Sequence, residues 1–199
     1  MPPAAVIRIV RDVLGPDAIV LADPGSPTPN VAAYWETVNP GRTVIVPRGH
    51  GPMGYAIPAT VGAALAVPKR PVVAFTADGS FAMACGELET IARLGLPILF
   101  VQFTNDSFGW IKMIQHLYMG GRYFGVDPGT INAVQVARAC GVRGERVTDL
   151  GHLRDLVAEF DATPGPLYLD IAVPHLIDLV PPVAMGLDAA GGTAYRPVY

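Results

Sequence analysis

The chain has 199 residues, 51% of them hydrophobic and only 16% charged, with a formal net charge of −3. That length fits one domain around a single large core. No basic cluster offers the electrostatic footprint of nucleic-acid binding, no apolar run reaches the roughly 18–20 residues that cross a bilayer, and Met1 to Arg11 lacks the layout of a secretory signal. The expectation is a cytoplasmic protein without nucleic-acid or membrane partners, whose apolar composition implies burial against another chain.

Short β-rich runs alternate with longer helical patterns, the layout of parallel strands joined by crossover helices. In chain order the reading begins with strands at Ala18–Ala22 and Thr43–Val46, a helix near Met53–Ala66 and a strand at Val72–Thr76. A helix at Cys85–Leu94, a strand at Ile98–Phe103 and helices at Trp110–Leu117 and Asn132–Cys140 follow. A strand at Glu145–Val147, a helix at Leu150–Phe160 and a strand at Leu167–Val173 complete the series. The expected fold is α/β, a doubly wound parallel sheet flanked by helices, over residues 1–174. Residues 175–199 are rich in Pro, Gly and Ala without steady periodicity and read as a tail that packs on the domain or on a partner. Cys85 and Cys140 stand in apolar contexts without CxxC spacing or a neighbouring His, and read as buried thiols.

Open α/β sheets bind ligands beyond the carboxyl ends of their strands, and the chemistry-bearing motifs fall there. The strand ending Phe75-Thr76-Ala77 runs into Asp78-Gly79-Ser80; after one helix and one more strand, Phe103-Thr104 runs into Asn105-Asp106-Ser107. Two neighbouring strands can thus point a carboxylate and an amide oxygen at one place. Mg²⁺ takes such hard oxygen ligands together with phosphate oxygens, and Gly79 and Ser80 can offer N–H groups to the same diphosphate. Asp-Gly after a strand is by itself a common turn; the weight lies in the pair, with Gly86-Glu87-Leu88-Glu89-Thr90 and Leu94-Gly95-Leu96-Pro97 between.

This arrangement resembles the motif of the thiamine diphosphate-dependent enzymes, Gly-Asp-Gly followed some 25–30 residues later by an Asn pair. The likeness is to the C-terminal domain of the acetohydroxyacid synthase and pyruvate oxidase group, through the run Thr104-Asn105-Asp106-Ser107-Phe108-Gly109-Trp110-Ile111-Lys112, and spans about Ile19 to Val173. Ala77 and Thr104 depart from the motif's first Gly and first Asn. The resemblance implies thiamine diphosphate and Mg²⁺ as cofactors, with Asp78, Asn105 and the Ser107 carbonyl as metal ligands. It also implies diphosphate contacts from Gly25, Ser26, Gly79 and Ser80, and an aminopyrimidine site formed by Gly51 and Met53, with Met53 as the prop beneath the cofactor. Trp110, Ile114 and Gln115 fall where the family roofs its substrate; Trp110 and Ile114 differ from the family's usual Met and Trp, so substrate choice is left open. His50, beside the cofactor loop, is the candidate acid–base group ahead of His116.

In this family a Glu from a pyrimidine-binding domain activates the cofactor. Neither Glu87 nor Glu89 fills that role, since both fall on the helix after the diphosphate motif, and a second domain of similar size does not fit in this chain. The expectation is therefore a split enzyme similar to the two-subunit sulfopyruvate decarboxylases, in which this chain corresponds to the β subunit. A separate pyrimidine-binding subunit completes an α₂β₂ heterotetramer that acts on a small 2-oxo acid, without FAD. The reaction expected is decarboxylation of the oxo acid, with ligation to an acceptor carbonyl as a further outcome. Ferredoxin-linked oxidoreductases are set aside because the two cysteines lack cluster spacing. A non-catalytic scaffold that keeps the fold is the alternative.

Overall fold

Two runs of β-branched and aromatic residues, Val72–Ala77 and Ile98–Thr104, are buried along almost their whole length, the mark of central strands covered on both faces. In the computed structural model, which describes residues 1–179 together with Pro182 and Val183, they pair in parallel at the middle of a six-stranded sheet. The strands are β1 (Ile19–Ala22), β2 (Val44–Ile45), β3 (Val72–Ala77), β4 (Ile98–Thr104), β5 (Arg143–Val147) and β6 (Leu167–Ala172). Their order is β2-β1-β3-β4-β6-β5, every neighbouring pair parallel. The two edges are guarded differently. β2 has only two residues, and β5 carries Arg143, Glu145 and Arg146, with Arg143 paired to Glu159 at 2.6 Å, so neither edge offers a long apolar template.

Helices cover both faces, as the doubly wound reading requires. α1 (Pro3–Leu14), α2 (Pro27–Tyr34) and α8 (Leu150–Ala162) pack Val6, Val10, Val31, Leu153 and Val157 against Val20, Val73, Phe75, Leu99, Val101 and Leu169. On the opposite face α3 (Ala56–Ala66), α4 (Asp78–Ala84), α5 (Glu87–Leu94) and α7 (Ala133–Ala139) bring Ile57, Phe81, Leu88, Ile91 and Ala137 to Leu21, Ala74, Phe100 and Tyr168. Successive strand residues alternate between the two cores, because strand side chains have a period of two. α6 (Gly109–Tyr118) lies beyond the end of β4, where the turn Leu176–Asp178 packs against it.

All six expected strands are present. Three helices went unforeseen. α1 is amphipathic, with Val6, Ile7, Val10 and Leu14 buried at helical spacing. α2 holds Pro27 and Pro29 in its first turn, where a missing N–H leaves no helical bond unmade. The helix expected at Cys85–Leu94 is α5, and the third unforeseen helix, α4, precedes it, beginning directly at Asp78 with no intervening turn. Cys85 and Cys140 are half-buried rather than fully buried: each ends a helix at the rim of the second core. Of the expected tail, Leu176 is buried, and most of the rest lies outside the described residues. Among the described residues no helix is long and apolar enough to cross a membrane.

Candidate functional site

From β1 the chain moves to one side to form β2, then returns to place β3 on the other side of β1. The crevice outside the carboxyl ends of two such strands is open, because their following segments depart in opposite directions. A cleft of about 190 Å³ lies there, lined by Pro24, Gly25 and Ser26 after β1, Ala77, Asp78 and Gly79 at the end of β3, Ser107 to Ile111 after β4, and Gly51 and Met53.

The carboxylate of Asp78 ties these segments together. Its Oδ1 accepts the Gly79 N–H at 2.8 Å, while Oδ2 accepts the N–H groups of Asn105 at 2.9 Å and Asp106 at 2.6 Å. Burial raises the Asp78 pKa above the usual carboxylate value, and the N–H groups of Asn105, Gly79 and Asp106 pull in the opposite direction. Asp106 adopts a φ of 56°, a left-handed conformation that typically costs a non-glycine residue about 1 kcal/mol or more. The strain sits where an amide must be turned towards Asp78. Among the described residues no three His, Cys, Asp or Glu side chains converge, so a cation here would draw on amide and carbonyl oxygens beside carboxylate.

Close approach explains two glycines. A Cβ on Gly79 would stand 2.5 Å from Phe108 Cε1 and 3.2 Å from Met53 Cε, so the Phe108 ring and the Met53 tip lie directly over that backbone. A Cβ on Gly109 would stand 3.2 Å from Ser26 Oγ and 3.3 Å from Asn105 Nδ2, which places Ser26 and Asn105 side by side. Gly51 and Gly54, at φ 64° and 79°, turn the segment that carries Met53.

Polar groups around the cleft are under-satisfied. Asp23 Oδ2, Ser80 Oγ and Ser107 Oγ, with His175 Nδ1 among the described residues, are buried without a well-formed hydrogen bond, although the Ser80 hydroxyl stands close enough to the Asp23 carboxyl, and the Ser107 hydroxyl to that of Asp127, to favour the charged forms of both carboxyls. Native proteins leave few such groups, and Asp23, Ser80 and Ser107 follow the carboxyl ends of three adjacent strands, β1, β3 and β4. Burial pushes the Asp23 carboxyl up to about 6, although its Oδ1 accepts the Ala56 N–H at 2.9 Å.

The structure brings Gly25, Ser26, Gly51, Met53, Asp78, Gly79, Ser107 and Trp110 to the cleft wall, with Asn105 beside it. Four expected residues stand elsewhere. Ser80 is fully buried and does not line the cleft; His50 is exposed in the loop before Gly51; Ile114 lies one turn further along α6. Gln115 turns its amide to the backbone of Phe124, donating to its carbonyl at 3.1 Å and accepting its N–H at 2.9 Å, and so straps the 119–127 loop to α6. His116 is occupied with the Tyr123 hydroxyl at 2.8 Å. Phe108, Ile111, Pro24 and Ala77 are lining residues that the motif reading missed. Adjacency to the motifs was their only signal.

The family model described as "Thiamine pyrophosphate enzyme, C-terminal TPP binding domain" matches residues 23–171. The chain is 31% identical over 197 residues to acetolactate synthase 1, chloroplastic, of Nicotiana tabacum, covering 94% of this chain and 29% of that protein. It is 36% identical over 186 residues to the acetolactate synthase large subunit of Parasynechococcus marenigrum, covering 90% of this chain and 30% of that one. The thiamine diphosphate-dependent 4-hydroxybenzoylformate decarboxylase of Rhodococcus jostii RHA1 superposes with a TM-score of 0.77 at 25% identity, over 87% of this chain and 32% of that one. The benzoylformate decarboxylase of Polynucleobacter necessarius, at 22% identity, shares the fold with a TM-score of 0.81, over 88% and 33%. This chain thus spans about a third or less of each relative. A match over three quarters of its length, centred on the cleft, means that the chain belongs to the thiamine pyrophosphate enzymes and carries their C-terminal TPP-binding domain.

Proposed function

We propose that the cleft holds the diphosphate of thiamine diphosphate through Mg²⁺, as part of an enzyme that decarboxylates a 2-oxo acid and passes the product to a proton or to an acceptor carbonyl. The observation that carries this reading is the Asp78 carboxylate, which gathers two motifs 27 residues apart by accepting the Asn105 N–H. Asp78, the Asn105 amide oxygen and the Ser107 carbonyl form an all-oxygen donor set suited to Mg²⁺. Ser107, at the cleft wall, adds a hydroxyl that fits a polar ligand.

When bound, thiamine diphosphate supplies an electron sink for the carbanion left by loss of CO₂. The residues of this chain position and shield it. Ser26 and Gly25 face the diphosphate end; Met53, above Gly79, supports the ring; the Gly51 carbonyl serves as acceptor for its exocyclic amine. Phe108, Trp110 and Ile111 keep water from the substrate side. The acetolactate synthases among the relatives support ligation as the second step, and the Rhodococcus decarboxylase supports protonation.

Among the described residues no glutamate lines the cleft, and Glu87 and Glu89 are exposed on α5, with Glu89 bound to Arg93 at 3.0 Å. The proposal includes an activating Glu from a pyrimidine-binding domain, placed on a separate subunit of an α₂β₂ assembly. Exposed Leu65 on α3 and Met83 on α4 offer apolar surface for such a neighbour.

Calorimetric titration of thiamine diphosphate with Mg²⁺ tests the proposal, on this chain alone, on its mixture with a candidate pyrimidine-domain chain, and on Asp78→Ala. Metal-dependent binding that the variant loses, strengthened in the mixture, is expected. Absence of binding in every arm overturns the catalytic reading and leaves a scaffold that keeps the fold.

A further inference from the structure

One hydrogen-bond chain crosses the sheet just beneath the cleft. Thr76 on β3 bonds the Tyr168 hydroxyl of β6 at 3.1 Å; Tyr168 donates to Gln102 Oε1 of β4 at 2.6 Å; Gln102 Nε2 donates to Thr104 Oγ1 at 2.8 Å. Thr104 in turn donates to Asp170 Oδ1 of β6 at 2.5 Å, and Arg146 of β5 donates to Asp170 Oδ2. Thr76, Gln102, Thr104, Tyr168 and Asp170 are all buried. Because Tyr168, Gln102 and Thr104 each donate onward, the protons run in one sense, from Thr76 to the Asp170 carboxylate. Burial raises the Tyr168 pKa well above its ordinary value, so its hydroxyl keeps the proton that the chain needs. Hydrogen bonds in such a low-dielectric series reinforce one another, and a missing member leaves its neighbours buried and unpaired.

The two ends of the chain matter. Thr76 is two residues before Asp78, and Thr104 immediately precedes Asn105, whose N–H, with that of Asp106, points at Asp78 Oδ2. The Thr104 carbonyl also accepts the Val173 N–H at 3.0 Å, so both its side chain and its backbone are held from β6 and the residue that follows it. We infer that Asp170, acting through the Thr104 hydroxyl, is a positioning residue that fixes the end of β4 and so sets Asn105 against Asp78. Asp170 is not among the residues that line the cleft. It determines where the two proposed ligands stand. The inference deepens the cofactor-site reading and rests on it for its functional consequence, while its structural half stands without any ligand.

The test compares Thr104→Val, which keeps the shape and removes the hydroxyl, with Thr104→Ser, which keeps the hydroxyl. Amide hydrogen exchange on the ligand-free chain reads Asn105 and Asp106, with Val101 and Leu169 as references in β4 and β6. A loss of protection of about tenfold at Asn105 and Asp106 in Thr104→Val, with the references unchanged and protection restored in Thr104→Ser, is expected. Asp170→Asn, a milder change, shows the same selective pattern at smaller amplitude and carries the comparison if the valine variant does not fold. Unchanged protection at residues 105 and 106, or an equal loss at the references, overturns the positioning role. Thiamine diphosphate with Mg²⁺ is then titrated with Trp110 fluorescence as the signal, and binding about tenfold weaker in Thr104→Val only is expected. If wild-type protein binds nothing, the cofactor reading fails and the exchange data still decide the inference; equal affinity in wild type and Thr104→Val overturns the link to the site.

Discussion

Gly79→Ala separates packing in the cleft from stability of the fold. Gly79 lies in the first turn of α4 with no positive φ, so alanine meets no backbone strain there and gains up to about 1 kcal/mol of helix propensity. The added Cβ meets the Phe108 ring at 2.5 and 2.6 Å, against an ordinary carbon contact of roughly 3.5–4 Å. The ring must retreat by about 1 Å, with a smaller shift of the Met53 methyl at 3.2 Å. Phe108 is half-buried at the cleft wall, so it can move into the space that a ligand would take. Overpacking costs about 1–3 kcal/mol in a closed core. With the helix gain offsetting part of this, the variant is expected to lose about 0–2 kcal/mol of stability and at least about tenfold in thiamine diphosphate affinity. Gly86→Ala is the control: that residue also has helical φ and ψ, but nothing lies within 4 Å of the new methyl. Denaturant unfolding and calorimetric titration of both variants check the reasoning. Unchanged affinity in Gly79→Ala, or an equal affinity loss in Gly86→Ala, refutes it.

Two further outcomes follow from the structure. Asp23 holds its proton to about pH 6 when folded, against a reference value of 3.8, so the folded state binds more protons between those values. Its contribution is complete below about pH 4 and is lost as pH rises through 6, up to about 3 kcal/mol in all. Asp23→Asn is therefore expected to be more stable than wild type at pH 8 and about equal to it at pH 4, measured by urea unfolding; a wild type that is the more stable at pH 8 sinks this account. Gln115→Ala releases the Phe124 backbone, and proteolysis is expected to cut within residues 119–127 faster while the melting temperature stays within about 2 °C. A lower melting temperature with unchanged cleavage would mean that the strap supports the core instead.

Much of the site was legible in the residues themselves. Asp78 and Asn105 end two apolar runs, and a strand that is buried along its length can expose a side chain to solvent chemistry only where it stops. The order of the sheet was not legible. β1 pairs with β2 on one side and β3 on the other, and that divergence opens the cleft, yet strand patterning says nothing about which strands are neighbours. Ser80 illustrates the limit: its place in the motif suited a contact with a ligand, but α4 starts at once and turns its hydroxyl into the protein. Gln115 is another case, since its partner is a backbone nine residues away that only the folded loop brings back.

The sequence by itself determined the fold class, the strands, the family and the strand ends that carry the proposed ligands, because hydrophobic period and the Asp and Asn motifs are local properties of the chain. Tertiary structure alone decided that Phe108 covers Gly79, that Gln115 holds a loop, and that Thr104 answers to Asp170 across 66 residues. These contacts depend on how strands are ordered and how closely backbones approach, and no local pattern encodes either.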